Sequence, residues 1–461
     1  MKRLMIAAVL AAAPVAAQTA PDPHRLALAA GYKAAFLCSG RWNAGQDEAS
    51  ISRDDLTGIY REYQAAVTAL PAVIDEAART VSVAFEPAMP PRIAVWRPLL
   101  GCVQLPPGAT AVAEVPRLVP GLAAPDLAVT DAKPWPLGDQ GAVQPLRRRR
   151  DRAALDAAVA KAFDSDRTTA VIVLKDGKII AERYRADWTM HTPQRTWSVA
   201  KSLTATLVGR AVQKGLVDVA QPAPVPEWQA PGDPRAAITW SHLLRMKSGL
   251  WTAGPGNRTD EVYVGGSQVA QTAAAMPLEY APGTHFNYSN NDIMLAALAL
   301  SRTVAKDGGS HAALAFPFTE LLWPLGMTRT TPETDWRGDF VLSSQVWTTA
   351  RDMARLALLY QNGGKGGGQQ LLPPDWPAFV ERADGPQPVG RAEGYGAGFW
   401  RWSGQAGLPD GTYAMNGNRG QFAVIVPARN IIVIRRGFDL VGAAFDMPRF
   451  TAAVLAALPD K

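Results

Sequence analysis

Two apolar runs that meet at an Asp-Gly turn constrain this chain more than any other feature. Thr169–Leu174 and Ile179–Tyr184 flank Lys175-Asp176-Gly177-Lys178. Asp-Gly supplies the positive φ angles that a tight turn between twisted strands demands, so the spacing predicts an antiparallel hairpin. A polar loop follows, and then Trp197 leads into an apolar helical pattern, Ser198–Lys214, that stops at Gly215. Strand signals return only near the C-terminus, at Tyr395–Trp402, Tyr413–Asn416, Phe422–Pro427 and Ile431–Arg436, before a last helix at Met447–Leu458. Between the two groups the pattern is helical: Ser241–Met246, Gln268–Ala275, Asn290–Ala305 and Ala350–Gln361. A helix at Ala153–Phe163 precedes the hairpin. Strands at both ends of a helical insert describe one sheet built from its two ends, an α/β (α+β) unit running from residue 146 to 461.

The N-terminal quarter reads differently. Residues 24–108 carry a helical pattern at Asp54–Leu70, an alternating strand at Val81–Phe85, a break at Pro90-Pro91 and an apolar stretch at Trp96–Leu105. The chain's two cysteines, Cys38 and Cys102, both fall here. A disulfide between them would close a loop of about 64 residues and stabilise by about 3–4 kcal/mol. Two buried free thiols are the alternative, and two thiols without neighbouring histidines are too few for a metal, so no metal is expected. Residues 109–145, rich in Pro, Ala and Gly, read as a linker. At the start, Lys2 and Arg3 precede an apolar Leu4–Ala13 and a small-x-small Val15-Ala16-Ala17. This reads as a Sec-type signal peptide over residues 1–17, which would leave Gln18 first and implies a periplasmic or secreted protein. No later segment reads as a membrane span, so stable insertion is not expected. With 48% hydrophobic and 19% charged residues among 461, the chain is no disordered tail. The net charge of +6 is small, and its one basic run, Arg147–Arg150, reads as a solvated approach to a helix rather than a nucleic-acid contact.

Three motifs carry chemistry. Ser198-Val199-Ala200-Lys201 heads a helix, and residues three apart share a helix face, so the lysine amine can reach the serine oxygen. The helix N-terminus adds free N–H groups where an oxyanion would develop. A serine there is otherwise an ordinary N-cap. Tyr288-Ser289-Asn290 follows Pro282-Gly283; beside a lysine ammonium the phenolate would be favoured, making a base of Tyr288. The bland alternative is a core tyrosine. Asn416-Gly417-Asn418-Arg419-Gly420-Gln421 lies between two strands, where glycine lets backbone N–H groups approach a substrate, or simply turns a hairpin.

Together and in this order, the motifs resemble the serine β-lactamase-related family: class C β-lactamases, D-alanyl-D-alanine carboxypeptidases, family VIII carboxylesterases and 6-aminohexanoate-dimer hydrolases. Further matches are Ile238–Leu250, Thr349–Arg355 and Tyr395–Trp400. The resemblance covers about residue 146 to the C-terminus and leaves residues 24–108 without a role. It implies a β-lactamase/transpeptidase-like antiparallel sheet flanked by helices, with an all-helical subdomain at about Gln213–Asp339. Ser198 would be the nucleophile, with Lys201 and Tyr288 as its activating partners. Asn290 and Gly417 would complete the site, and the Ser198 and Asn418 N–H groups would hold the oxyanion. One departure matters. Family members acting on β-lactams or peptidoglycan carry Lys-Thr-Gly or His-x-Gly on the closing strand, whereas a G-x-x-G-Q form stands here. That favours a small-molecule ester or amide over penicillin-type substrates, without a cofactor; the exact substrate depends on loops such as Thr252–Ser267. Two other classes compete. A Ser-His-Asp hydrolase would enlist one of His191, His242, His285 or His311, but no G-x-S-x-G elbow is present. The same scaffold could also serve as an inactive binding protein.

Overall fold

The computed structural model describes residues 22–117, 122–252 and 259–458. The expected signal peptide and its cleavage point before Gln18 lie outside these residues. The chain opens with α1 (Pro23–Trp42), a helix that its residue pattern had not announced, capped by Asp22. Next come α2 (Glu48–Asp54) and α3 (Arg61–Ala69), where a single helix over Asp54–Leu70 was expected. The break has a tertiary cause. Gly58 takes φ +68°, and the Arg419 guanidinium, from the far end of the chain, holds the Asp55 and Thr57 carbonyls at 3.3 and 2.8 Å. The freed loop presents Tyr60.

Strands β1 (Ala72–Asp75), β2 (Thr80–Val83), β3 (Arg92–Arg97) and β4 (Gly101–Gln104) form an antiparallel sheet in that order, on which α1 packs. Cys38 of α1 is disulfide-bonded to Cys102 of β4, with the Cα atoms 6.1 Å apart. This unit shares a core with the rest of the chain. The buried Arg92 side chain donates to the Val264 and Gly265 carbonyls, while Glu333 accepts from Ser39 Oγ at 2.7 Å and from the Cys102 N–H at 3.0 Å.

After α4 (Leu127–Asp131) and α5 (Arg149–Lys161), β5 (Thr168–Lys175) and β6 (Lys178–Tyr184) form the hairpin, turning at Asp176-Gly177. A short β7 (Gln194–Arg195) leads into α6 (Val199–Gln213). The helical middle comprises α7 (Trp240–Leu244), α8 (Asp260–Tyr263), α9 (Val269–Thr272) and α10 (Asn290–Pro317). Helix α10 runs past the expected Ala305, with non-helical backbone at Gly309. The segment is not wholly helical. It ends in β8 (Thr331–Pro332), which pairs with β9 (Val346–Thr348), and β9 pairs with β7. Then follow α11 (Ala350–Gln361), the small hairpin β10 (Lys365–Gly366) and β11 (Gln369–Gln370), and α12 (Trp376–Glu381). The expected strand Tyr395–Trp402 splits into β12 (Gly394–Tyr395) and β13 (Trp400–Arg401), and β14 (Tyr413–Gly417), β15 (Gln421–Val426), β16 (Ile431–Gly437) and α13 (Met447–Ala457) complete the chain.

The main sheet has the antiparallel order β12-β13-β14-β15-β16-β5-β6, so strands from the two ends of the chain meet where β16 pairs with β5. Strands β15 and β16 are buried at every position, the mark of a sheet covered on both faces. Helix α11 packs on β15, β16 and β5, α6 packs on β14, and α13 packs on α5. One buried side chain ties this sheet to the segment before α6. Arg436 of β16 donates to the Thr348 carbonyl at 2.8 Å, the Gln194 carbonyl at 2.7 Å and Gln421 Oε1 at 2.6 Å.

Candidate active site

Ser198 occupies the N-cap position of α6, yet its side chain makes no capping hydrogen bond. Trp197 just before it takes φ +50°, a conformation that a bulky residue adopts only when its surroundings impose it. The serine oxygen is thereby free to face the first turn of its own helix. Lys201 Nζ lies 2.9 Å from Ser198 Oγ, and it also donates to Asn290 Oδ1 at 2.6 Å and to the Ser343 carbonyl at 2.9 Å. These partners hold the amine in place from three separate segments. Asn290 begins α10 directly after its N-cap, Ser289, and Ser343 is steadied by a hydroxyl contact with Tyr263 at 2.6 Å.

Lys201 is 1% exposed, and burial lowers its pKa from 10.5 to about 7. No carboxylate among the described residues acts on it, so desolvation of the ammonium decides the outcome. Tyr288 moves the other way. Burial pushes its phenol well above 10, against the pull of hydrogen bonds from Ser198 and Trp400. The lysine amine sits 5.1 Å from the centre of the Tyr288 ring. The expectation that an ammonium would favour the phenolate is therefore corrected: an amine that is neutral in about half the molecules at pH 7 offers only part of a charge, and burial of the phenol outweighs it. The Tyr288 ring is wedged among Tyr395, at 5.8 Å, and Trp400, at 5.3 Å between ring centres.

The closing hairpin meets the nucleophile at Gly417. A Cβ there would lie 2.3 Å from the Thr196 carbonyl and 3.2 Å from the Ser198 nitrogen, so only glycine lets β14 come this close. Asn418 follows in the three-residue turn, exposed, with its amide donating to the Tyr60 hydroxyl at 3.2 Å. Arg419, the cation of this turn, faces away; it binds the Asp55, Thr57 and Asp439 carbonyls.

Ser198, Tyr288, Asn290 and Asn418 line one cavity of about 380 Å³. Several lining residues went unrecognised in the sequence, among them Tyr32, Tyr60, Arg195, Asp260, Tyr263 and Arg391. Arg195 alone carried a usable signal, lying three positions before the serine. Tyr263 comes from α8, inside the Thr252–Ser267 stretch, of which residues 253–258 lie outside the described residues. None of the histidines lines this cavity. His242 caps α7, His191 bonds Asp139 at 2.9 Å and His285 stacks on Tyr280. Asp131, Asp139 and His191 cluster as metal ligands can, but Arg329, Arg351 and Arg355 pair with the two carboxylates.

A both-faces-covered antiparallel sheet, a serine and lysine heading its central helix and a tyrosine from the helical middle define a β-lactamase/transpeptidase-like protein. The family model described as Beta-lactamase matches residues 155–435, more than half of the chain, and the protein belongs to that family, whose fold serves serine hydrolases. Among solved structures, a family VIII carboxylesterase is 17% identical with a TM-score of 0.55, covering 68% of this chain and 99% of its own. A protein described as a 6-aminohexanoate-dimer hydrolase from Bacillus anthracis is 18% identical with a TM-score of 0.54, covering 64% and 80%. A class C β-lactamase is 14% identical with a TM-score of 0.51, covering 68% and 98%. At such identities these likenesses establish the fold. A search of curated proteins by sequence finds no match.

Proposed function

We propose that this protein is an exported serine hydrolase that cleaves an ester or small amide through a covalent acyl-enzyme on Ser198. The observation that carries the reading is the contact between Ser198 Oγ and a buried Lys201 amine whose pKa has fallen to about 7. A neutral amine at hydrogen-bond distance is a general base matched to neutral pH. Lys201 takes the Ser198 proton as Oγ attacks the carbonyl carbon. The oxyanion is held by the Ser198 N–H at the start of α6 and the Asn418 N–H beside Gly417. Tyr288, still protonated, passes its proton to the leaving oxygen or nitrogen and recovers it from Lys201. Water then enters by the same route and gives its proton to Lys201 as it attacks the acyl carbon, and the acid is released as Lys201 returns that proton to Ser198 Oγ. These side chains supply nucleophile, base and proton donor, so the scheme needs no cofactor. The substrate is a small molecule that fits a cavity of about 380 Å³.

Penicillin-type substrates are the second reading and the weaker one. The closing turn holds its cation, Arg419, against backbone carbonyls rather than in the cavity. Export is supported by the disulfide, which persists in oxidising compartments, and no helix among the described residues is long and apolar enough to cross a membrane. The test pairs fluorophosphonate labelling and peptide mapping with a panel of p-nitrophenyl esters and a chromogenic cephalosporin. Label on Ser198 with ester turnover is expected. Label on another serine ends the mechanism, and efficient cephalosporin turnover with poor ester turnover reverses the substrate assignment.

A further inference from the structure

Part of the Ser198 cavity is built by residues that lie outside the family match. Tyr32 projects from α1, and Tyr60 from the loop that Arg419 holds open. Tyr32 is 4% exposed, and its hydroxyl is buried without a hydrogen-bond partner among the described residues. Leaving such a group unpaired is costly, so a buried hydroxyl on a cavity wall points to something that enters the cavity. Arg195 is the second anomaly. It is 3% exposed, lies 4.0 Å from the Trp197 ring centre and 4.7 Å from that of Phe36, and donates to Ser344 Oγ at 2.9 Å. It makes no ion pair among the described residues.

Ring faces offset part of the cost of burying a guanidinium, but not the whole of it. The acids that act on Arg195 are poor counter-ions. Glu333 is committed to Ser39, Asn43 and the Cys102 N–H. Burial pushes Asp55 up to about 7 even against the Arg419 and Arg195 charges, so it carries only part of a charge at neutral pH. Among the lining residues the carboxylate is Asp260, which accepts from the Tyr63 hydroxyl, and Arg391 at Trp400 adds a second cation. The cavity therefore has an excess of positive charge beside its nucleophile.

We infer that Arg195 and Tyr32 form an anion subsite, and that the substrate is a small ester or amide bearing a carboxylate. The carboxylate pairs with the guanidinium and accepts from the Tyr32 hydroxyl, completing both groups. The inference rests on the hydrolase reading above and narrows its substrate class. It also gives residues 24–108 a purpose, as one wall of the site. Neutral esters leave the buried guanidinium without a counter-ion and the Tyr32 hydroxyl unpaired, which is how such a site rejects them.

The test uses two measurements on the full chain and on Tyr32→Phe, which removes one oxygen. Calorimetric titration compares glutarate with glutaramide, and hydrolysis compares monomethyl glutarate with methyl butyrate. Glutarate should bind and glutaramide should not, the charged ester should be preferred at least about tenfold, and Tyr32→Phe should weaken glutarate and shrink the ester preference by about tenfold each. Equal handling of the charged and neutral compounds, or a preference that survives Tyr32→Phe unchanged, overturns the subsite. Glutarate binding that depends on Tyr32, with neither ester cleaved and no fluorophosphonate label on Ser198, leaves the subsite standing and removes the hydrolase reading. Arg195→Gln should abolish glutarate binding.

Discussion

The lowered pKa of Lys201 makes a quantitative demand on the reaction. An ordinary lysine at 10.5 is neutral in only about one molecule in three thousand at pH 7, whereas one at about 7 is neutral in half. The difference corresponds to about 5 kcal/mol of selective destabilisation of the ammonium. The perturbation is Lys201→Arg, which keeps a positive charge at the end of a long side chain but cannot lose its proton at accessible pH. The assay is the second-order rate of fluorophosphonate labelling from pH 5 to 10. For the native chain the rate should rise about tenfold per pH step below 7 and flatten above it, because only the neutral amine accepts the Ser198 proton. Lys201→Arg should label at least about a thousandfold more slowly and show no inflection near 7. Stability carries the same signature. The unfolded chain binds the extra proton between about 7 and 10.5, so this group's penalty on stability grows as pH falls across that window and stays constant below about 7. A native labelling profile with its inflection above 9, or a Lys201→Arg chain that labels at the native rate, would refute the reasoning.

Ser198→Ala should abolish turnover and labelling, checked by intact mass after fluorophosphonate treatment. Tyr288→Phe and Lys201→Ala should each lower kcat by about a hundredfold to ten-thousandfold, and the double variant should lose far less than the product of the two, since they act as one proton-transfer unit. Gly417→Ala should lower kcat by about a hundredfold or more with secondary structure retained by circular dichroism, because its methyl would collide with the Thr196 carbonyl and crowd the Ser198 N–H. Cys38→Ser with Cys102→Ser should lower the urea midpoint by an amount equivalent to about 3–4 kcal/mol, the entropy of opening a 64-residue loop.

Much of the main unit was legible in the residues. The hairpin formed at Asp176-Gly177, the central helix began at the expected serine, and the C-terminal strands paired with the early hairpin, because period-2 and 3.6 patterns encode which face each segment buries. Elements without such a pattern were missed or misjudged. Helix α1 is buried along most of its length, so it shows no polar stripe to reveal its period. The Asp54–Leu70 helix was expected whole, yet an arginine more than three hundred residues away holds its first turns open as a loop.

The sequence by itself determined the short-range chemistry. A serine and a lysine three apart at a helix start must share a face, whatever the rest of the chain does. Tertiary packing decided everything that depends on distance or on exclusion of water. It brought Asn290 and the Ser343 carbonyl to the lysine, seated Tyr32 and Tyr60 beside the serine, and turned Arg419 away from the cavity. It also chose the protonation states. A local pattern of residues carries no record of how deeply a group will be buried, and burial is what releases the Lys201 proton while holding the one on Tyr288.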